Sequence, residues 1–220
     1  MMQGNIVWKA ALLTAIVFIA GIAVGIWMDN QRVDQTRERI NDIDIEWNDA
    51  RLTSLYYQQL AANDTAYCNA AMDANLAFND RIYQEGLTIE RYESVNRFAP
   101  ELLQEKKRYA LLQLQFWMNS IELKKQCGAT YHTLVYFYDH YNSGLENVQA
   151  AQSAILAELK DKCGANLMLV PLPRDLDIST ISLLAAQYNI TSAPSILLDG
   201  NTFAGLTGNG MLVPLLGCGS

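Results

Sequence analysis

Four thiols and two imidazoles are the side chains of this 220-residue sequence best suited to covalent or metal chemistry, and their spacing limits what they can do. Cys68, Cys127, Cys163 and Cys218 form no C-x-x-C pair, and with only His132 and His140 beside them they offer no zinc-ligand spacing. No metal site is expected. Asp139, His140, Ser143 and Glu146 crowd into one segment, DHYNSGLE, and carry the groups that hydrolysis uses. Neither their order nor their spacing selects a nucleophile, a base and an orienting acid, so the segment reads as a polar loop. His132 falls in an apolar run and reads as a satisfied strand side chain. Gly205, Gly208 and Gly210, in TFAGLTGNGMLV, lack the lysine-bearing strand-to-helix loop that cradles phosphate; they read as turn residues, and no cofactor is implied.

Half of the residues are apolar, and 23 acidic side chains outnumber 16 basic ones for a formal charge of −7. That suffices for a folded core and argues against nucleic acid, whose phosphates call for a basic stripe. From Ala10 to Met28 there is no charge, and at ~1.5 Å per residue this run covers about 28 Å of hydrocarbon. Trp8 and Trp27 suit the two interfaces, and Lys9 can reach water. A cleaved secretory signal is the competing reading, but the run exceeds the usual apolar stretch of about 7–15 residues and lacks an A-x-A site. Residues 1–28 are therefore read as an uncleaved anchor.

The basic residues near the anchor do not by themselves orient it, because Arg32, Arg37 and Arg39 are mixed with acids. An even number of cysteines, sequons at Asn63 and Asn189, and an acidic body favour a cytoplasmic N-terminus with the rest of the chain outside the cytoplasm in a single-pass arrangement. Gly21 and Gly25 form a G-x-x-x-G pair, a candidate contact between two anchors in a homo-oligomer.

Residues 29–128 read as a helical stalk and hairpin. Val33, Ile40 and Trp47 repeat at seven, as do Thr36, Ile43, Ala50 and Tyr57, which can seam two copies or pack within one chain. Asp64 or Thr65 can cap a second helix, expected to stop at Gly86, and a third runs from Pro100 to Cys127 with Gly128 as its stop. An antiparallel pair of these helices brings Cys68 near Cys127. Of the three connectivities open to four cysteines, Cys68 with Cys127 and Cys163 with Cys218 is favoured, against the alternative of buried free thiols. Phe116, Trp117 and Met118 are expected to face the stalk.

Residues 129–220 change to an α/β pattern, β-α-β-α-β-β with a short terminal segment. YHTLVYFY (131–138) reads as a buried strand, 145–162 as a helix, and NLMLVPLP (166–173) as a second strand that Pro171 places toward an edge. A helix capped by Asp177 or Ser179 follows, with Asn189 in the left-handed position after it. SILLDGNTFAGL makes two strands joined at Asp199, Gly200 and Asn201.

Over about Ala129 to Leu216, and most specifically in YNITSAPSILLDGNTFAG, the sequence resembles the thioredoxin-fold family. The resemblance implies that Pro194 is a cis-proline, and that Ala193, with Pro194 and Ser195 beside it, faces extended peptide. The lead-in ELKKQCG is similar to that of membrane-anchored, externally facing archaeal thioredoxin-like proteins. The departure lies at 139–149, where the family places C-x-x-C and this chain has DHYNSGLENVQ, without a cysteine. Cys163 lies at the far end of the following helix, where the dipole disfavours a thiolate. The expectation is a redox-inactive module that binds a client polypeptide, chaperone-like or as an assembly scaffold. The alternatives are a structural subunit of a cell-envelope complex, or an oxidoreductase using Cys163 and Cys218.

Overall fold

The computed structural model describes residues 3–60, 65–96 and 100–218. Helix α1 (Gln3–Leu60) is continuous, and its stretch Trp8–Met28 is long and apolar enough to cross a membrane. None of that stretch is buried against the rest of the chain, which separates it from the core helix of a soluble protein. Thr14, within that stretch, donates its hydroxyl to the Ala10 carbonyl at 3.0 Å and so needs no outside partner. Nothing lies within 4 Å of where a Cβ would stand on Gly21 or Gly25, so both face open space. The side chains of Val33, Thr36, Ile40, Ile43, Trp47, Ala50 and Tyr57 lie outside the described residues, as do Asn63 and Asp64 altogether.

Helices α2 (Thr65–Asn96) and α3 (Pro100–Cys127) make the hairpin. Cys68 is joined to Cys127 with Cα atoms 5.4 Å apart, and Arg37 Nε meets Glu105 Oε1 at 2.9 Å to tie α1 to the start of α3. Gly128 takes a positive φ of 65° and ends α3. The expected stop of α2 at Gly86 is incorrect, because the helix runs ten residues further. The glycine answers a tertiary demand instead. Tyr109 on α3 donates its hydroxyl to the Ile82 carbonyl, and a Cβ on Gly86 would stand 2.6 Å from that hydroxyl.

Four strands follow, β1 (His132–Tyr138), β2 (Leu167–Pro173), β3 (Ser195–Leu198) and β4 (Asn201–Ala204), in the spatial order β2-β1-β3-β4. β1 and β2 are parallel, with Leu134 opposite Leu169, and β3 is antiparallel to both β1 and β4. A parallel pair needs a crossover, which α4 (Glu146–Cys163) supplies; α5 (Ser179–Gln187) leads from β2 toward β3. Pro171 does lie on an edge strand, where its missing N–H costs no ladder bond. The β3–β4 turn places Asp199 and Gly200 at φ 46° and 91°, the hairpin geometry that D-G favours. Asn189 has φ 55°, as expected, but neither Asp177 nor Ser179 caps α5: the cap position is Ile178, without a side-chain bond.

The sheet separates two apolar layers. On one face Val135, Phe137, Met168 and Val170 pack with Phe78 and Ile82 of α2, Phe116 of α3 and Ile181 of α5. On the other, Leu134, Leu167 and Ile196 meet Leu156 and Leu159 of α4 and Leu212 of α6 (Asn209–Leu216). Hairpin and sheet thus share one core. Phe116 lies 5.4 Å from Phe78 in a tilted pair and Trp117 sits edge-on at 6.5 Å to Tyr188, so among the described residues these two rings join the core shared with the sheet, while Met118 is exposed and does not join them. Helix α6 also corrects the turn reading of Gly208 and Gly210, which cap and enter it. Burial of Leu212 and Leu216 holds it in place, and Cys163–Cys218 joins the end of α4 to the residues just after α6, with Cα atoms 5.1 Å apart.

Candidate functional site

The loop after β1 is built by polar groups that serve one another. Arg174, just past β2, grips both carboxylate oxygens of Asp139 at 3.0 and 3.1 Å. Asp139 and Gln149 exchange two hydrogen bonds, Asp139 N–H to Gln149 Oε1 at 2.6 Å and Gln149 Nε2 to Asp139 O at 3.0 Å. Asp175 accepts the backbone N–H groups of His140 and Tyr141 at 2.6 and 2.8 Å. Ser143 and Glu146 are exposed on a short 3-10 turn and the first turn of α4. Asp139 is committed to Arg174, and His140 Nδ1 lies 3.0 Å from Lys106 Nζ, so the loop is held from β2 and from α3.

Ala193–Pro194 is a cis peptide, and Ala193, Pro194 and Ser195 are all buried. Ser195 Oγ donates to Ser192 O at 2.7 Å, and the Pro194 carbonyl accepts from Gly205 N–H at 2.8 Å. These residues sit beneath a covering surface. The exposed extended backbone is one strand further on, in β4, where Asn201, Thr202 and Ala204 are exposed. The Gly205–Pro194 bond fixes the ladder's alternation: Phe203 pairs inward with Ile196, and the backbone groups of Thr202 and Ala204 point away from the sheet.

Asp199 anchors the turn beside that edge. Its carboxylate accepts from Thr133 N–H at 3.0 Å, lies 2.6 Å from His132 Nδ1, and pairs with Lys124 of α3 at 3.1 Å. Partial burial alone would raise its pKa, but the hydrogen bonds from Thr133, His132 and Lys124 hold it below the ordinary carboxylate value. His132 is thereby accounted for as a partner of Asp199.

At the opposite edge α2, α3 and α4 surround β2 and leave a cavity of about 450 Å³. Its wall includes Tyr83, Tyr136, Tyr138, Leu156, Leu169 and Pro171, together with Lys106 and His140. Burial pushes the Tyr136 hydroxyl up to about 12, so it stays a neutral hydrogen-bonding group at ordinary pH. The sequence does not foretell this site: Lys106 stands on one helix of the hairpin and His140 beyond β1, and only the shared core brings them together.

All four cysteines are paired, with no sulfur in the loop 139–149. Asn189 is exposed, while Asn63 lies outside the described residues. In comparisons with known proteins, no family model matches the chain and no curated protein matches it at a significant level. An N-terminal apolar helix followed by a mixed four-stranded sheet packed with helices is an arrangement compatible with a thioredoxin-like fold.

Proposed function

We propose that the chain is a membrane-anchored, redox-inactive thioredoxin-like protein, similar to extracytoplasmic archaeal members, that carries its body outside the cytoplasm and holds a polypeptide partner as a chaperone-like or assembly-scaffold module. The observation that supports it most is the exchange of roles at the loop 139–149: the position where the family has thiols is filled by the Asp139–Arg174–Gln149 network, and the sulfurs are tied up elsewhere in disulfides. Thiol exchange requires an accessible thiolate to attack, and a disulfide at the end of α4 supplies none.

What remains is recognition of backbone. Strand addition at β4 gives main-chain hydrogen bonds that tolerate many client sequences, and Thr202 and Ala204 present the required groups. Ala204→Pro deletes one outward N–H on an edge that accepts proline. Full-length protein in detergent is expected to capture a permanently unfolded model polypeptide, and Ala204→Pro to lose most of that capture while remaining folded. Undiminished capture by the folded variant overturns the β4 assignment.

A second reading, a structural subunit of a cell-envelope complex, is favoured by one observation: Ala193, Pro194 and Ser195 are covered, as a packed spacer requires. It expects no capture by the wild-type protein at all, which separates it from the first.

A further inference from the structure

We propose that the cavity along the outer edge of β2 is a binding site for a neutral, planar aromatic molecule that carries an N–H or O–H donor. The cavity lies at the opposite edge of the sheet from β4, so this reading stands independently of polypeptide capture there. Its wall draws on both apolar layers: Ile89, Tyr109 and Ala110 come from the α2–α3 layer, and Tyr136, Leu156 and Leu169 from the α4 layer. A space lined from both faces of a sheet runs past the strand edge between them, which here is β2. Its volume of about 450 Å³ is in the range of sites that enclose small organic molecules.

The strand register sets what that edge presents. Arg174 N–H donates to the Tyr138 carbonyl, so Met168, Val170 and Leu172 turn their backbone groups toward β1, while Leu169, Pro171 and Pro173 turn theirs outward. No strand lies beyond them. Proline has no N–H, so these three residues offer three outward carbonyls and a single outward N–H, that of Leu169. Strand addition needs donors and acceptors in alternation, and this edge lacks the donors. It refuses a polypeptide backbone and matches a ligand that brings a donor of its own.

The side chains of the wall favour a neutral ring. Tyr109 donates to the Ile82 carbonyl and accepts from Gln113, Tyr136 donates to the Gln149 carbonyl at 3.2 Å, and Arg174 holds Asp139. Lys106 and His140 meet at 3.0 Å, and each, like Glu146, has a further interaction within the protein. A charged ligand would have to compete with these contacts in a largely dry site. What the wall leaves to an occupant is flat apolar surface: Tyr136 and Tyr138 stack 5.7 Å apart, and Pro171 and Pro173 stand beside them in the register.

Carbazole and dibenzofuran are planar probes of nearly the same shape, and only carbazole has an N–H. Equilibrium dialysis of the full-length protein in detergent, against empty micelles of the same detergent, reads the binding of each. Carbazole is expected to bind about fivefold more tightly than dibenzofuran, the worth of one neutral hydrogen bond. Ala157→Phe fills the cavity from α4 and Leu87→Phe fills it from α2; each is expected to abolish binding while the helical circular dichroism is kept. Equal affinity for the two probes, no binding of either, or unchanged binding in a folded filling variant overturns the proposal. So does tighter binding of a short tryptophan-containing peptide than of carbazole, which would give the cavity to a polypeptide. Capture at β4 is read by Ala204→Pro, so either result stands without the other.

Discussion

The two edges of the sheet are finished in opposite ways. At β2 the outermost strand is almost wholly buried: α2 and α3 lie over it, and the Leu167 carbonyl accepts from Lys160 Nζ at 2.9 Å and Asn79 Nδ2 at 3.4 Å. At β4 the outermost strand is four residues long and mostly exposed, with its outward backbone groups left to solvent. An open edge invites pairing with other chains, and shortness limits that hazard. The hairpin is therefore an integral part of the α/β body. It closes one edge, completes the core on one face of the sheet, and creates a cavity with residues from both parts of the chain, while the other edge is left open.

The largest expected effect comes from removing the staple of the closing hairpin. The Cys68→Ser/Cys127→Ser pair of substitutions opens a loop of 59 residues, and equilibrium denaturation is expected to show a loss of about 2–5 kcal/mol. Next is Lys160, whose Nζ also meets Gly164 O at 2.8 Å and Asp80 Oδ1 at 3.3 Å. Lys160→Met leaves buried carbonyls short of a donor and is expected to cost about 1–3 kcal/mol. Burial holds the Lys160 pKa below its usual value despite Asp80. The unfolded chain therefore binds the proton more tightly, and this lysine's contribution to wild-type stability rises as pH climbs toward 10.5, a slope the methionine variant lacks.

The open edge should tolerate change better. Ala204→Pro is expected to alter stability by less than about 1 kcal/mol while removing client capture, because the N–H it deletes points away from the sheet. A large loss of stability would mean that β4 is a structural edge like β2. The smallest effect belongs to Asp199, whose pKa is depressed in the fold. The stability it contributes is fully present above its ordinary value of 3.8 and is lost as pH falls through the depressed one. Denaturation at neutral pH and at about pH 3 is expected to show a smaller acid loss in Asp199→Asn than in wild type.

Where local chemistry dictates local structure, the sequence could be read directly. Pro100 and Gly128 bound α3, Asp199-Gly200 makes the hairpin turn, and Asn189 takes the left-handed position, because each answers a backbone requirement within a few residues. The misread elements are those that distant contacts decide. Gly86 looks like a stop until Tyr109 is placed against it, and Gly210 with Pro214 argues against a helix that burial of Leu212 and Leu216 stabilises. At the site, the absence of thiols from 139–149 is plain in the sequence, whereas Arg174 and Asp175, which shape that loop, are 35 residues from Asp139 and His140 and carry no local signal.

The most direct test of a body that holds a partner without thiol chemistry is non-reducing peptide mapping of the protein from its native membrane, with free thiols alkylated before digestion. The expected result is Cys68 linked to Cys127, Cys163 linked to Cys218, and no alkylated cysteine. Alkylation at Cys163 or Cys218 in a substantial fraction of the protein would contradict it, since an accessible thiol at the end of α4 would restore the chemistry that the loop 139–149 has lost.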